Sequence, residues 1–338
     1  MTSRRILVTG GAGYVGSHAC KALAQAGHVP VTFDNLSRGF RDAVRFGPFV
    51  EGDLGNKLAV ERAVREHRVE AVMHFAAYAY VGESMQRPAE YFRNNVSNTL
   101  NLLEVMNDVG VGTIVFSSTC STYGIPETLP ILETAPQRPI NPYGESKLVV
   151  ERMLEWQGRA YGLRWAALRY FNAAGADPGG EVGENHDPET HLIPLAIQAA
   201  FGERDALELF GSDYPTADGT AVRDYIHVSD LADAHVRALD HLLSGGESLA
   251  LNLATGRGHS VKEVIAAVER GSGRPVPVRF APRRPGDPPT LIADPRRAQC
   301  VLGWLPRHSA IDTIVATAVA WHTRAFSPTP VRAVAGRG

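Results

Sequence analysis

The 338 residues carry 34 Lys and Arg against 36 Asp and Glu, a net charge of −2, and 44% of them are hydrophobic. That supports a large core in one large or two interleaved domains; with no polybasic tail or basic stripe, nucleic acid and anionic membrane are not expected partners. Cys20, Cys120 and Cys300 are too few and too scattered for a zinc pattern or a disulfide framework, so each reads as a buried thiol in a reducing, cytoplasmic setting.

Arg4-Arg5 is not followed by a signal-type apolar region, so no secretion signal is expected, and no apolar run reaches bilayer-spanning length. The first predicted strand, Ile6-Leu7-Val8, runs into Thr9-Gly10-Gly11-Ala12-Gly13-Tyr14-Val15-Gly16 and a helix near 14–26. Such a run sets a helix N-terminus against a pyrophosphate. Gly10 permits the tight turn, Gly13 lets backbone approach the phosphates, and Gly16 lets helix pack on strand. The spacing is G-x-x-G-x-x-G; its strand-before, helix-after context is what gives it weight.

Strands are expected at Pro30–Phe33, Phe49–Glu51, Ala71–Phe75, Thr113–Phe116 and Trp165–Tyr170, with helices near 57–67, 89–109 and 143–161 between them. Strand–helix alternation predicts a parallel sheet with helices on both faces and ligands at the strands' carboxyl ends. Asp34 ends the second strand, where a carboxylate meets the adenosine ribose and repels a 2′-phosphate, favouring NAD over NADP. Arg38 nearby suits a phosphate, and Asp34-Asn35-Leu36-Ser37 is also good turn chemistry. Asp53-Leu54 ends the third strand; Asp53 reads as an acceptor for the adenine amino group or as a cap for the next helix. Phe75-Ala76-Ala77 ends the fourth, with small residues that let the chain pass close to a dinucleotide or simply turn.

The fifth strand ends in Phe116-Ser117-Ser118-Thr119-Cys120-Ser121-Thr122-Tyr123-Gly124, a hydroxyl run that serves a reacting sugar or the turn backbone. Asn141-Pro142 opens the next helix, which places Tyr143, Lys147, Val150, Leu154 and Tyr161 on one inward face. A lysine beside a phenol favours tyrosinate and makes Tyr143 a usable base. After Asn172 the pattern changes. Glycine, proline and acidic residues fill 174–190. A helix near 191–201, a strand at 207–210, a loop at 211–222 and a helix near 229–244 follow. The stretch 271–290 reads as a ligand-covering loop, and the tail from Pro328 to Gly338 as frayed. The expected architecture is α/β: a Rossmann-type doubly wound sheet over 1–172, with 222–245 returning to it, and a smaller interleaved substrate domain over 173–330.

Gly10-x-x-Gly13-x-x-Gly16, Asp34-Asn35-Leu36, Asp53-Leu54, Phe116-Ser117-Ser118-Thr119, Tyr143-x-x-x-Lys147 and Arg169-Tyr170-Phe171-Asn172 resemble the extended short-chain dehydrogenase/reductase family. Val81-Gly82-Glu83-Ser84, Phe210-Gly211-Ser212-Asp213-Tyr214-Pro215-Thr216, Val222-Arg223-Asp224-Tyr225-Ile226-His227-Val228 and Arg284-Pro285-Gly286-Asp287 narrow the resemblance to UDP-sugar 4-epimerases over essentially the full length. It implies tightly bound NAD, a UDP-glucose or UDP-galactose substrate, a transient 4-keto sugar and a homodimer paired through helices 89–109 and 143–161. It implies Tyr143 as base, Thr119 as hydroxyl partner and Lys147 also on the nicotinamide ribose. The cofactor set is Gly10, Gly13, Tyr14, Val15, Gly16, Asp34, Asn35, Asp53, Leu54, Phe75, Ala76, Ala77, Asn94, Ser117, Tyr143, Lys147 and Tyr170. For the substrate, Arg223 and Arg284 grip the diphosphate, Asp287 the uridine ribose and Phe210 the uracil, Asn172 contacts the diphosphate or the sugar, Leu291 limits the sugar pocket, and Ser118, His191 and Leu192 complete the substrate-binding set.

The chain departs from the family's pattern in three places. Thr119 stands where Ser is usual, Tyr78-Ala79-Tyr80 lacks a phosphate-binding Lys, and Leu291 is intermediate in size where sugar tolerance is set. A nucleotide-sugar dehydratase would need a carboxylate among Cys120, Ser121 and Thr122, and none is there. A non-enzymatic NAD sensor could dispense with Tyr143 and Lys147. A UDP-pentose or UDP-N-acetylhexosamine epimerase needs the same machinery.

Overall fold

Runs such as Arg5–Thr9 and Thr113–Thr119 are buried along nearly their whole length, as strands covered on both faces must be. The computed structural model describes residues 3–284 and 287–325. The tail expected to fray, Pro328 to Gly338, lies outside them, as do Pro285 and Gly286. The first half comprises β1 (Arg5–Thr9), α1 (Tyr14–Gln25), β2 (Val29–Asp34), β3 (Phe49–Glu51), α2 (Lys57–Glu66), β4 (Ala71–His74), α3 (Val81–Gln86), α4 (Pro88–Phe92), α5 (Asn98–Val109), β5 (Thr113–Thr119), α6 (Pro142–Tyr161) and β6 (Arg164–Tyr170). The second comprises β7 (Asn172–Ala174), α7 (Leu192–Phe201), β8 (Leu207–Phe210), β9 (Val222–His227), α8 (Val228–Leu243), β10 (Leu249–Leu253), β11 (Gly258–Ser260), α9 (Val261–Ser272), β12 (Val278–Ala281), β13 (Thr290–Leu291), α10 (Arg296–Leu302) and α11 (Ile311–Ala325).

Seven parallel strands form one sheet in the order β10-β6-β5-β4-β1-β2-β3. The order reverses between β1 and β4, and the crevice at that switch point is where a doubly wound sheet takes its ligand. One face carries α1 and α8, which pack on each other over Ile6, Val8, Ala19 and Leu231. The other carries α2, α5 and α6 over Leu7, Val72, Leu102 and Leu154. A third core joins α7, α9 and α11, while β9 pairs with β7, β11 and β13, and β8 pairs with β12. Among the described residues, no helix is long and apolar enough to cross a membrane.

The structure corrects several expectations. The helix near 89–109 is broken: α4 gives way to a π-helical turn, Arg93–Ser97, before α5. Buried Asn95 causes the break. Its side chain accepts from Tyr78 N at 2.8 Å and donates to Tyr78 O and Ser146 Oγ, both at 3.0 Å. Such turns often mark functional sites, and this one carries Asn94 to the cleft. The stretch 271–290 contains β12, drawn into order by parallel pairing with β8. Tyr161, at the last turn of α6, is exposed and does not share the inward face of Val150 and Leu154. Only Cys20 is a buried thiol; Cys120 is partly covered and Cys300 is exposed on α10.

Four buried histidines set a pH limit on this packing. Burial pushes His74 and His227 down to about 3, and His18 and His235 down to about 4. They stay neutral in the folded chain at a pH where the unfolded chain, near its ordinary value of about 6.5, takes up protons. Stability therefore falls as pH drops below about 6.5, by at most about 1.4 kcal/mol per pH unit for each histidine. The carboxyls of Asp34 and Asp224, raised by burial, and the imidazoles of His186 and His191, raised by Glu184 and Glu189, oppose this in part. Urea unfolding at pH 7, 6 and 5 is expected to show a falling midpoint with net proton uptake; a midpoint unchanged to pH 5 contradicts the buried-neutral assignment.

Candidate functional site

The cleft, about 1530 Å³, runs from the carboxyl ends of β1, β2 and β4 across to β8 and β9. Gly10 turns the chain with φ of +72°, and a Cβ there would sit 2.5 Å from Ala76 N. A Cβ on Gly16 would meet Gly10 O at 2.2 Å. Helix α1 starts at Gly13 with no side-chain cap and no acid in its first turn, so its leading N–H groups are left for an anion. Asp34 Oδ2 accepts from Ala12 N at 3.0 Å and Oδ1 from Leu36 N at 2.8 Å, which fixes the carboxylate at the rim. Asp53 holds the Asn35 amide at 2.6 Å and Gly55 N at 2.7 Å. The cap of α2 is Asn56, not Asp53. Arg38 is committed: it pairs with Glu83 at 2.7 Å and lies 5.3 and 5.1 Å from the rings of Tyr78 and Tyr80. These features fit a dinucleotide with a free 2′-hydroxyl.

At the inner end, β5 and α6 converge. Asn141 caps α6 by accepting from Gly144 N at 2.8 Å, and a Cβ on Gly144 would lie 2.5 Å from Ser121 O. That close approach brings Tyr143 beside Thr119, whose hydroxyl favours the ionised phenol. Burial nevertheless drives the Tyr143 phenol well above its ordinary value near 10, with Tyr170 adding to the shift. Lys147 Nζ donates to Ser117 O at 2.8 Å and sits 4.8 Å from the Phe116 ring centre. Burial pushes the ammonium down to about 7. The expected lowering of the phenol by its lysine is thus not achieved by the protein's own groups, because desolvation is the largest influence on both.

Ser118 is a second correction. Alternation along β5 sends Ser117 and Thr119 to the cleft and Ser118 to the opposite face, where its hydroxyl donates to buried Glu151 at 2.5 Å. Glu151 also takes Arg169 and Gln137, so Ser118 belongs to a polar network behind the site. Ser117 Oγ lies 2.7 Å from the Tyr170 hydroxyl. Every other residue expected in the site lines the cleft, including Asn94, Tyr170, His191, Leu192 and Leu291.

On the far wall, Arg284 stacks 4.1 Å from the centre of the Phe210 ring, and Arg223 pairs with Asp287. Asn172 donates to Asp224 O at 3.1 Å. Asp224 itself is fully buried, accepting from Thr255 and Gly256. The sequence reading missed Glu184, His186 and Glu189 on the cleft wall; their alternating Glu and His spacing was the available signal. His191 is the N-cap residue of α7, its ring turned to Glu184.

Residues 6–254 match the model of the NAD dependent epimerase/dehydratase family. The chain is 51% identical over 324 residues to a UDP-glucose 4-epimerase of Rhizobium leguminosarum bv. trifolii, covering 96% of this chain and 99% of that one. Among solved structures, a UDP-glucose 4-epimerase from Brucella ovis in complex with NAD is 53% identical, with a TM-score of 0.92 over 94% of this chain and 98% of that one. A UDP-glucose-4-epimerase from Stenotrophomonas maltophila with bound NAD and formylated UDP-arabinopyranose is 42% identical, also at TM-score 0.92, over 95% and 98%.

Proposed function

The chain belongs to the NAD dependent epimerase/dehydratase family, and on that footing we propose that it inverts C4 of a UDP-linked sugar, interconverting UDP-glucose and UDP-galactose through a transient 4-keto sugar. The observation that carries this reading is the meeting of Tyr143, Thr119 and Lys147 at the inner end of one cleft, between the Gly10–Gly16 turn and the Arg223–Arg284–Phe210 wall.

NAD, when bound, accepts and returns the C4 hydride and brings a positive charge that opposes the burial penalty on the phenol. The Tyr143 oxygen takes the proton of the sugar 4-hydroxyl as C4 is oxidised, and gives it back as C4 is reduced. Thr119 hydrogen-bonds the same hydroxyl and holds it toward the phenol. Lys147, protonated, stabilises the tyrosinate and reaches the nicotinamide ribose. Arg223 and Arg284 hold the diphosphate, for which guanidinium forks are suited. Phe210 packs on uracil, Asp287 bonds the ribose, and Asn172 steadies the diphosphate or the sugar. Held only by its diphosphate, the 4-keto sugar turns and presents its other face. Leu291 bounds the room for a 2-substituent.

The test is a panel of UDP-hexoses, UDP-pentoses and UDP-N-acetylhexosamines with product separation. Purified chain is expected to interconvert UDP-glucose and UDP-galactose with no added cofactor, and Leu291→Tyr to suppress any N-acetylhexosamine activity. No turnover, or strict dependence on added NADP, contradicts the reading; a rise in N-acetylhexosamine activity contradicts the placement of Leu291.

A further inference from the structure

We propose that Glu184, His186, Glu189 and His191 form a four-coordinate divalent-cation site on the cleft wall, of the class that takes zinc(II) or cobalt(II). Each residue offers one donor atom, and all four atoms lie within 4.8 Å of one another. Three of the spacings are close to the edge of a tetrahedral zinc site, Glu189 offering a different carboxylate oxygen to each histidine. His186 Nδ1 is 3.3 Å from Glu184 Oε1 and 3.5 Å from Glu189 Oε2, and His191 Nδ1 is 3.6 Å from Glu189 Oε1. Bonds of about 2.0–2.1 Å to imidazole and carboxylate in a tetrahedral zinc site separate the donors by about 3.4 Å. A fourth contact, Glu184 Oε1 to His191 Nδ1 at 2.5 Å, is a hydrogen bond that a shared cation would open.

The donor set fits as well. Two carboxylates balance the charge of one divalent ion, and two imidazoles, neutral once they have given up their protons to bind it, complete a nitrogen–oxygen set suited to zinc or cobalt. His186 Nδ1 is buried, makes no well-aligned hydrogen bond and lies between the two carboxylates, with which it forms ion pairs.

The segment is held from outside in this shape. Trp321 Nε1 donates to Glu184 O at 2.9 Å, and Lys21 Nζ to Asp177 Oδ2 at 2.7 Å. Glu189 Oε1 accepts from Thr190 N and His191 N at 2.7 and 2.8 Å. The His186 ring packs edge-on against Tyr14 and Tyr80, with centroids 6.0 and 6.1 Å away. Metal ligands oriented by outer contacts lose little freedom on binding. A bound cation would clamp residue 184 to residue 191, and so brace the start of α7 against the glycine turn. It takes no part in the redox step, and its test does not depend on the epimerase reading.

Tag-free chain is stripped with a chelator, dialysed and titrated with zinc(II) by calorimetry, then with cobalt(II) by visible absorption. One equivalent of zinc per chain and the strong d–d bands of four-coordinate cobalt are expected. Both are expected to vanish in a His186→Ala, His191→Ala double variant shown to be folded by circular dichroism, and to persist in His67→Ala. No saturable zinc binding by the parent chain overturns the proposal, whatever the variants do. So does a six-coordinate cobalt spectrum, or an equivalent that survives the double substitution.

Discussion

Tyr143→Phe is expected to lower kcat by roughly two to four decades, the span supplied by a positioned general base, while bound NAD and the affinity for UDP-sugar stay near parental values. The substitution removes one oxygen and keeps the ring. What is lost is the oxygen beside Thr119 that, in the proposed reaction, takes the sugar's proton. Burial of the phenol makes the loss informative. A tyrosine pushed above its ordinary value stays protonated at neutral pH, so its service as a base depends on positive charge close by. Lys147, held at 2.8 Å to Ser117 O and brought down to about 7 by burial, is the protein's contribution. Steady-state rates on UDP-galactose, with cofactor content read from the protein's absorbance, decide the matter. An unchanged kcat removes Tyr143 from the role of base.

Gly16→Ala is expected to yield chain without resident NAD and with reduced stability, whereas Gly13→Ala is expected to lose cofactor alone. The two glycines are three residues apart but meet different neighbours. The Cβ of residue 16 would press to 2.2 Å on the Gly10 carbonyl oxygen, a backbone atom that cannot swing aside. At residue 13 the nearest atom, again Gly10 O, is 3.3 Å away, and a small shift accommodates it. Overpacking typically costs about 1–3 kcal/mol, so α1 must move off the turn and the loop loses its shape. A methyl on residue 13 leaves the fold intact and intrudes where the phosphates approach. Thermal melts with and without added NAD separate the cases. Equal stability of Gly16→Ala and the parent, with full cofactor, contradicts the account of the turn.

The dinucleotide half of the site was legible because its signals are local. Strand, glycine turn and helix follow one another within a dozen residues, and Asp34 and Asp53 mark the ends of the next strands. Ser118 was within reach too: the two-residue period of β5 separates it from Ser117 and Thr119, but a run of hydroxyls obscures that alternation. The π-helical turn was not legible, because Asn95 is bound to Tyr78 and Ser146, 17 and 51 residues away. β12 lies in a Pro- and Arg-rich stretch and becomes a strand only by pairing with β8. The capping box Ser260–Glu263 that starts α9 is, by contrast, a local signal the sequence reading passed over. The electrostatics of Tyr143 and Lys147 depend on burial, which four-residue spacing on a helix does not reveal.

The most direct measurement follows the hydrogen on C4. UDP-glucose deuterated at that carbon, turned over in ordinary water by purified chain with no cofactor added, is expected to give UDP-galactose that keeps the deuterium at C4. Loss of the label to solvent, or its arrival at another carbon, would contradict removal and return of that hydrogen within one closed cleft.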